Sequence, residues 1–338
     1  MPYGSISVDK IENSDGFTLG GSGAAMKNRI INGAMVISQR NGTSSVTPTS
    51  GDYTLDRWQA GASQASKFSV QQNAGSVTPP VGFTNYLGVT SLSAYSVSSS
   101  DQFTIVQRIE GFNTADLGWG TANAKTVTLS FQVYSSLTGT FGGTLSNSAF
   151  NRSYPFSYTI SSANTWTQIS VTIAGDTTGT WIGATNGIGI RVYFGLGVGS
   201  TYSGTAGSWQ ASGLISATGA TSVVGTSGAT FYITGVQLEV GSQATSFDYR
   251  QYGTELALCQ RYYEKTSGAI QGSLSSVNGQ GNVQWYYKVT KRATPTVTGN
   301  NVTTDVAVNT VDFAQGTTNN TGGYFATFAS GSTASAEL

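Results

Sequence analysis

Three stretches of this chain alternate with a period of two, and that rhythm constrains the fold more than any other feature. In "KTVTLSFQVYS", Val127, Leu129, Phe131 and Val133 point one way, while Thr126, Thr128, Ser130 and Gln132 point the other. "WTQISVTIAG" repeats the pattern with Ile169, Val171 and Ile173, and "GIGIRVYFG" with Ile188, Ile190, Val192 and Phe194. Such alternation fits antiparallel strands with one dry and one wet face. Several of them in one unit predict a two-sheet sandwich. "FYITGVQLEV" breaks the rhythm: Phe231 and Ile233 share one phase, Val236 and Leu238 the other. A bulge at Gly235 would turn both pairs inward. Residues 199–230, dense in Gly, Ser, Thr and Ala, predict a long loop or weak strands.

Only 9% of residues are charged, yet 38% are hydrophobic, with 17 Tyr, 15 Phe and 6 Trp. That is ample for a core and too little charge for a solvated tail, so disorder is excluded as the general state. The 44 glycines fit many turns between short strands. Net charge is zero and no basic run is present, which argues against phosphate-driven nucleic-acid binding. A charge-poor surface favours association, so the chain is expected within an assembly. "MPYGSISVDK" lacks the regions of a signal peptide and no apolar run reaches membrane-spanning length. The expectation is synthesis in a cytoplasm, without membrane insertion.

Residues 1–28 carry too few apolar side chains for a core and read as an arm that orders on a partner. Residues 29–250 form the strand-rich body. Residues 251–267 read as a connecting helix: Thr254 as N-cap, Glu255 at the positive dipole end, Arg261 and Lys265 in the last turn and Gly268 as the stop. Leu256, Cys259, Tyr262 and Tyr263 make an apolar stripe that must bury, because three turns are not stable alone. They pack beneath their own sandwich or form a seam between copies. Residues 268–338 return to β patterns in a unit small enough to need packing partners.

Histidine is absent, which excludes a Ser-His-Asp triad and His-containing zinc sites. Cys259, the single cysteine, fits a packing role better than a nucleophile. Asp101, Glu110, Asp116, Asp176, Glu239 and Asp248 are the acids from which a glycosidase pair would have to come. "GLGVGSTYSG" precedes no helix and misses the dinucleotide fingerprint. Asn41, Asn151 and Asn301 head glycosylation-type triplets that are incidental without a secretion signal. Sugar binding is the sharper idea, needing aromatic faces and a few placed polar groups. Trp119 with Asp116, Trp181, and Tyr202 with Trp209 lie in Gly-rich, loop-like contexts, with Asn123 and Gln210 near them. Against them stands the common role of large aromatics in capping a core. Trp166 heads a clean strand and reads as core. "WYY" at 285–287 points aromatics to both faces, so Trp285 joins the candidates.

"NRIINGAMVISQRNGTS", "EGFNTADLGWGTANAKTVTLSFQVYSSLTGTF", "YTISSANTWTQISVTIAGDTTGTW", "GATFYITGVQLEVGSQATSFDYRQYGTELALCQRYYEK" and "ASAEL" together resemble a group of bacteriophage virion proteins. These are tail-fibre or tail-spike-like components whose jelly-roll domain is similar to carbohydrate-binding modules. The resemblance spans roughly residues 28–265 and the last few residues. It implies an all-β chain: an antiparallel jelly-roll sandwich over 29–250 and a smaller C-terminal β-sandwich over 268–338, joined by the helix. It also implies a homotrimer located in the virion tail, docked to other virion proteins through residues 1–28 and attached to host surface polysaccharide. Alternatives are a purely structural baseplate, neck or decoration component, and a glycan depolymerase. In related jelly rolls, acids of the first and last strands help hold a calcium ion. Here the first strand would be Asn32-Gly33-Ala34-Met35-Val36 and the last carries Thr234-Gly235, so no cofactor is expected.

Overall fold

The computed structural model describes residues 26–272, 280–299, 305–319 and 326–338. The expected docking arm therefore lies outside the described residues except at its end, where Asn28 is already buried in the sandwich.

Thirteen strands build the body: β1 (Tyr53–Leu55), β2 (Trp58–Ala62), β3 (Phe68–Gln72), β4 (Leu87–Ser91), β5 (Gln102–Glu110), β6 (Val127–Ser135), β7 (Gly139–Ser146), β8 (Ser153–Ile160), β9 (Thr167–Ile173), β10 (Ile188–Val198), β11 (Ser203–Gly204), β12 (Ser216–Ala217) and β13 (Thr230–Val240). A six-stranded sheet runs β1-β2-β5-β10-β7-β8, and a five-stranded sheet runs β3-β4-β13-β6-β9. Neighbours within both are antiparallel. Most residues that alternation assigned to the dry face meet between the sheets: Val127, Leu129, Phe131 and Val133 from β6, and Ile190, Val192 and Phe194 from β10. Ile188 does not join them, because the register of β10 with β5 shifts between Ile188 and Ile190. The chain is an all-β sandwich, as its periodicity predicts. Burying these aliphatic and aromatic side chains contributes about 1.5–3 kcal/mol each and is the main force holding the sheets together.

The bulge in β13 is present. Its register with β6 shifts between Thr234 and Gln237, and Gly235 sits at φ 62°. Phe231, Ile233, Val236 and Leu238 consequently all reach the core at 0% exposure. The segment after β10 is irregular, as expected, with only the two-residue strands β11 and β12.

Two expectations are corrected. Residues 32–36 form a turn, not a strand, because Asn32 (φ 59°) bonds Ile37 N and O through its own side chain. The turn still lies along β13, where Val236 N donates to Gly33 O. The helix is shorter than 251–267: α1 covers Tyr252–Gln260, with Gln251 at the N-cap and Thr254 inside. Past it the chain tightens, with Arg261 N on Ala257 O and Tyr262 N on Cys259 O. The side chains of Arg261 and Tyr262 reach Glu110 (2.6 Å each), and Tyr263–Lys265 then forms strand β14.

That geometry also decides the apolar stripe. Cys259 and Tyr262 are fully buried against Ile31 and Ile37 of the same chain, with Leu256 and Leu258 beside them. Tyr263 is 7% exposed, beneath the Arg40 guanidinium 3.5 Å from its ring centroid. Cys259, Tyr262 and Tyr263 therefore have no free surface for a seam between copies; the helix packs beneath its own sandwich.

The C-terminal strands are β14, β15 (Ile270–Gly272), β16 (Gln280–Tyr286), β17 (Thr296–Thr298), β18 (Asp305–Asn309), β19 (Phe313–Asn319), β20 (Ala326–Phe328) and β21 (Thr333–Ser335). They form sheets β14-β21-β17, β15-β20 and β16-β19-β18 around Val283, Trp285, Tyr287, Ala314 and Phe328. The unit is clamped to the sandwich by ions. Glu337 pairs with Arg40 and the fully buried Arg57, and Arg292 bonds the carbonyls of Ala336, Glu337 and Asn186.

Candidate functional site

The structure brings three of the sequence candidates together. Trp119, Trp181 and Trp209 stand nearly perpendicular to one another, with ring centroids 4.7–5.3 Å apart. Every indole N–H is engaged: Trp119 with Lys125 O (2.8 Å), Trp181 with Asp176 (3.1 Å), Trp209 with Ala174 O (2.8 Å). Arg152 grips Asp176 with two bonds of 2.6 and 2.9 Å and completes the cluster. Trp119 is buried and Trp181 and Trp209 are half-buried, so the cluster spends most of its ring surface on itself and caps the sandwich core. The space left beside Trp119 and Trp181 is about 50 Å³, well below the roughly 300–1,000 Å³ of ordinary ligand pockets.

The other candidates lie apart from it or serve packing. Asp116 is engaged by Arg29 at 2.7 Å. Tyr202 lies in the short 3-10 turn Ser200–Tyr202, and its carbonyl accepts from Ile215 N. Trp285 is 3% exposed in the C-terminal core, packed on Tyr287 and Phe328; the outward ring of "WYY" is Tyr286, 67% exposed. Strand alternation decides this, since Val283, Trp285 and Tyr287 share the inward phase.

The remaining acids are engaged as well. Asp101 accepts from Ser63, Tyr95 and Ser98 N, Glu239 from Gln237 and Thr245, and Asp248 from Asn28 N. Burial opposes ionisation of Glu110, but hydrogen bonds from Arg261 and Tyr262 hold its carboxyl below the ordinary value. Asp176 behaves likewise, with Arg152, Thr178 and Trp181 outweighing its burial. Burial pushes the Cys259 thiol well above its usual value, which makes it a poor nucleophile. Where the first segment meets the last strand, a cation is present: Arg250 donates to the carbonyls of Asn28 and Ile30 and to Glu255.

An open groove lies elsewhere, across the outer face of the five-stranded sheet, and holds about 400 Å³. Its floor comes from the wet face of β6 and from β9. Gln132 and Gln168 are register partners, with Gln132 Nε2 3.3 Å from Gln168 Oε1, and Ser130 lies beside them. One wall is a trio of rings, Phe83, Phe247 and Tyr249, with centroids 4.8–5.5 Å apart. Tyr249 is 57% exposed and anchored by its hydroxyl to Gly82 O at 2.6 Å. Apart from that phenol, no ionisable side chain lines the groove among the described residues.

Local sequence explains the wall. "PPVGF" makes a turn closed by Phe83 N to Pro80 O, with Gly82 at φ 89°, the pattern of a type II turn. Phe83 is thereby returned to the sheet and meets the bulge, where a Cβ on Gly235 would stand 2.6 Å from its ring. Beyond the groove, Tyr86, Tyr134, Trp166 and Tyr232 form a second outer-face cluster, with Tyr134 stacked on Tyr232 at 5.3 Å and 7°. Trp166 belongs to this cluster and not to the core between the sheets.

Sequence reasoning did not select Phe83, Gln132, Gln168, Phe247 or Tyr249. A signal existed for Gln132, assigned to the wet face by alternation. The pairing of β6 with β9 and the return of residues 247–249 to the same face are long-range facts that periodicity does not carry.

No family model matches the chain, and no curated protein matches it. Among solved structures it is similar to the enzymatically active domain of tailspike protein 4 of bacteriophage CBA120 (11% identity, 64% of this chain and 22% of that chain, TM-score 0.35). The chain thus spans about a fifth of that tailspike. It is also similar to the carbohydrate-binding module TmCBM61 in complex with beta-1,4-galactotriose (9% identity, 64% and 99% covered, TM-score 0.33). A third is a family 11 carbohydrate-binding module from Clostridium thermocellum in complex with a beta-1,3-1,4-mixed-linked tetrasaccharide (12% identity, 61% and 100% covered, TM-score 0.30).

Proposed function

We propose that this chain is a glycan-binding β-sandwich protein of a bacteriophage virion, of the tail-fibre type, which attaches to host surface polysaccharide. The observation that carries the binding half is the groove on the five-stranded sheet. Aromatic rings form a wall that can lie against sugar C–H groups, and two registered amides on the floor can each donate to and accept from hydroxyls. Binding is favoured over hydrolysis because the six acids considered for catalysis are held by structural partners. The virion half rests on the sequence resemblance and on the charge-poor composition. Residues 1–28 would dock onto another virion protein, and the functional particle would be a homotrimer.

The test is adsorption. Full-length protein is expected to bind host cells or their isolated polysaccharide, to block infection, and to release no oligosaccharide. Gln168→Ala and Tyr249→Ala, folded by circular dichroism, are expected to bind at least tenfold more weakly. Failure of the wild-type protein both to bind and to block would favour a scaffold component. A monomeric mass by light scattering would remove the trimer.

A further inference from the structure

The outer face of the six-stranded sheet carries a pair of charges that the glycan reading does not use. Register places Arg191 of β10 directly beside Arg108 of β5 and, on its other side, beside Ser146 of β7; in the next row Tyr193 stands beside Thr144. Like charges directly opposite on neighbouring strands destabilise a sheet. The chain has only 16 basic residues with which to make such a pair. Six other arginines have carboxylate partners: Arg29, Arg40, Arg57, Arg152, Arg250 and Arg261. Arg191 has none among the described residues and reaches only the carbonyl of Asn147 at 3.2 Å, while Arg108 meets the main-chain oxygen of Leu338, the last residue of the sequence.

Unused hydrogen-bonding capacity gathers at the same place. Ser146 and Thr144 are 0% exposed, and their hydroxyls have no partner among the described residues; neither has the Nε of Arg108 or of Arg191. Buried groups of this kind call for a ligand or water. Phe150 roofs the site with its ring 5.8 Å from the Arg191 guanidinium carbon, while Arg108 and Arg191 both keep partial exposure, so the site is shielded yet reachable. Burial pushes the Arg191 guanidinium below its ordinary value; Tyr193 opposes this and Arg108 adds to it. Neighbouring strands are about 4.8 Å apart, a spacing that lets two guanidinium forks share one anion.

We propose that Arg108, Arg191, Ser146 and Thr144 form a binding site for one oxyanion, a carboxylate, sulfate or phosphate group. Its charge offsets the Arg191 guanidinium, with Arg108 at its edge, and its oxygens take up the idle N–H and O–H donors, as charge-assisted bonds do most strongly. The site is on the opposite face of the sandwich from the groove and stands or falls separately from it.

Titration calorimetry on the full chain tests this with sodium sulfate and sodium glucuronate, each against sodium chloride at equal ionic strength. Saturable binding of either probe is expected in the wild type. Arg191→Gln should weaken it at least tenfold, and Arg191→Lys less, since an ammonium keeps the charge but loses the fork. Ser146→Ala should weaken it about threefold (a lost hydrogen bond of under about 1 kcal/mol) without changing charge. Tighter sulfate binding would identify a free ion as the occupant, and tighter glucuronate binding an acidic sugar. No saturable binding of either probe, or equal binding by wild type and Arg191→Gln, would overturn the proposal.

Discussion

The two outer faces of one sandwich solve opposite problems. On the five-stranded sheet the exposed face is neutral: Gln132 of β6 and Gln168, Ser170 and Thr172 of β9 stay open to solvent, and the ring trio stands beside the two glutamines. On the six-stranded sheet the face is charged and largely covered. Arg57, Arg108 and Arg191 lie beneath Glu337, Leu338 and Phe150. Both faces arise from the same two-residue alternation, whose inward half builds one shared core. The contrast teaches that in a chain this poor in charge, ions gather on the face where segments are fastened, while the groove proposed for glycan is built from uncharged surface.

Four experiments probe that division, beginning with the largest effect. Glu337→Ala should strip the fully buried Arg57 of its carboxylate and cost about 3–5 kcal/mol, read as a lower urea midpoint. A neutral response would mean that the charged face fastens nothing. Gly235→Ala forces a side chain into left-handed backbone at φ 62°, costing about 1–2 kcal/mol. The same change crowds Phe83, so polysaccharide binding should fall with stability.

Trp181→Ala and Tyr249→Ala form the next pair. The first should lower stability and spare binding in the surviving folded protein. The second should spare stability and weaken binding about tenfold, or 1.4 kcal/mol. Reversal of that pattern would move the glycan site to the tryptophan cluster. The smallest effect is acid sensitivity. Glu110 and Asp176 have folded pKa values below their unfolded ones, so their contribution is complete above the ordinary carboxylate range. It is lost as pH falls through that range toward the folded values. Thermal unfolding from pH 7 to 3 should show the loss, and Glu110→Gln should flatten it. Groove mutants at Gln132 and Gln168 should leave the pH profile unchanged, because neither residue titrates.

Much of the fold was legible in the chain. Alternation at 127–133, 169–173 and 190–194 assigned the dry faces, missing only the register shift after Ile188, and the phase break at Gly235 located the bulge. Both are properties of neighbouring residues and need no knowledge of the partner strand. The helix was legible as an element but not in extent. Its end is set by distant partners: Tyr263–Lys265 pairs with Thr333–Ser335 in a sheet, and the side chains of Arg261 and Tyr262 are anchored on Glu110, about 150 residues earlier in the chain. The candidate site was legible only through its chemistry. Gly-rich context drew attention to Trp119, Trp181 and Trp209, yet those rings converge on one another and fill a cap.

By itself, the sequence determined the class of the protein: all-β, dry between two sheets, without histidine chemistry and with little charge. These follow from composition and a local period, because a side chain's face is set by its parity along the strand. Tertiary structure alone decided which wet faces matter. Gln132 meets Gln168, Phe83 meets Phe247 and Tyr249, and Arg108 meets Arg191 only through strand order and returning loops. A surface able to recognise a ligand is assembled from segments distant in the chain, and its geometry exists only once the core has fixed their register.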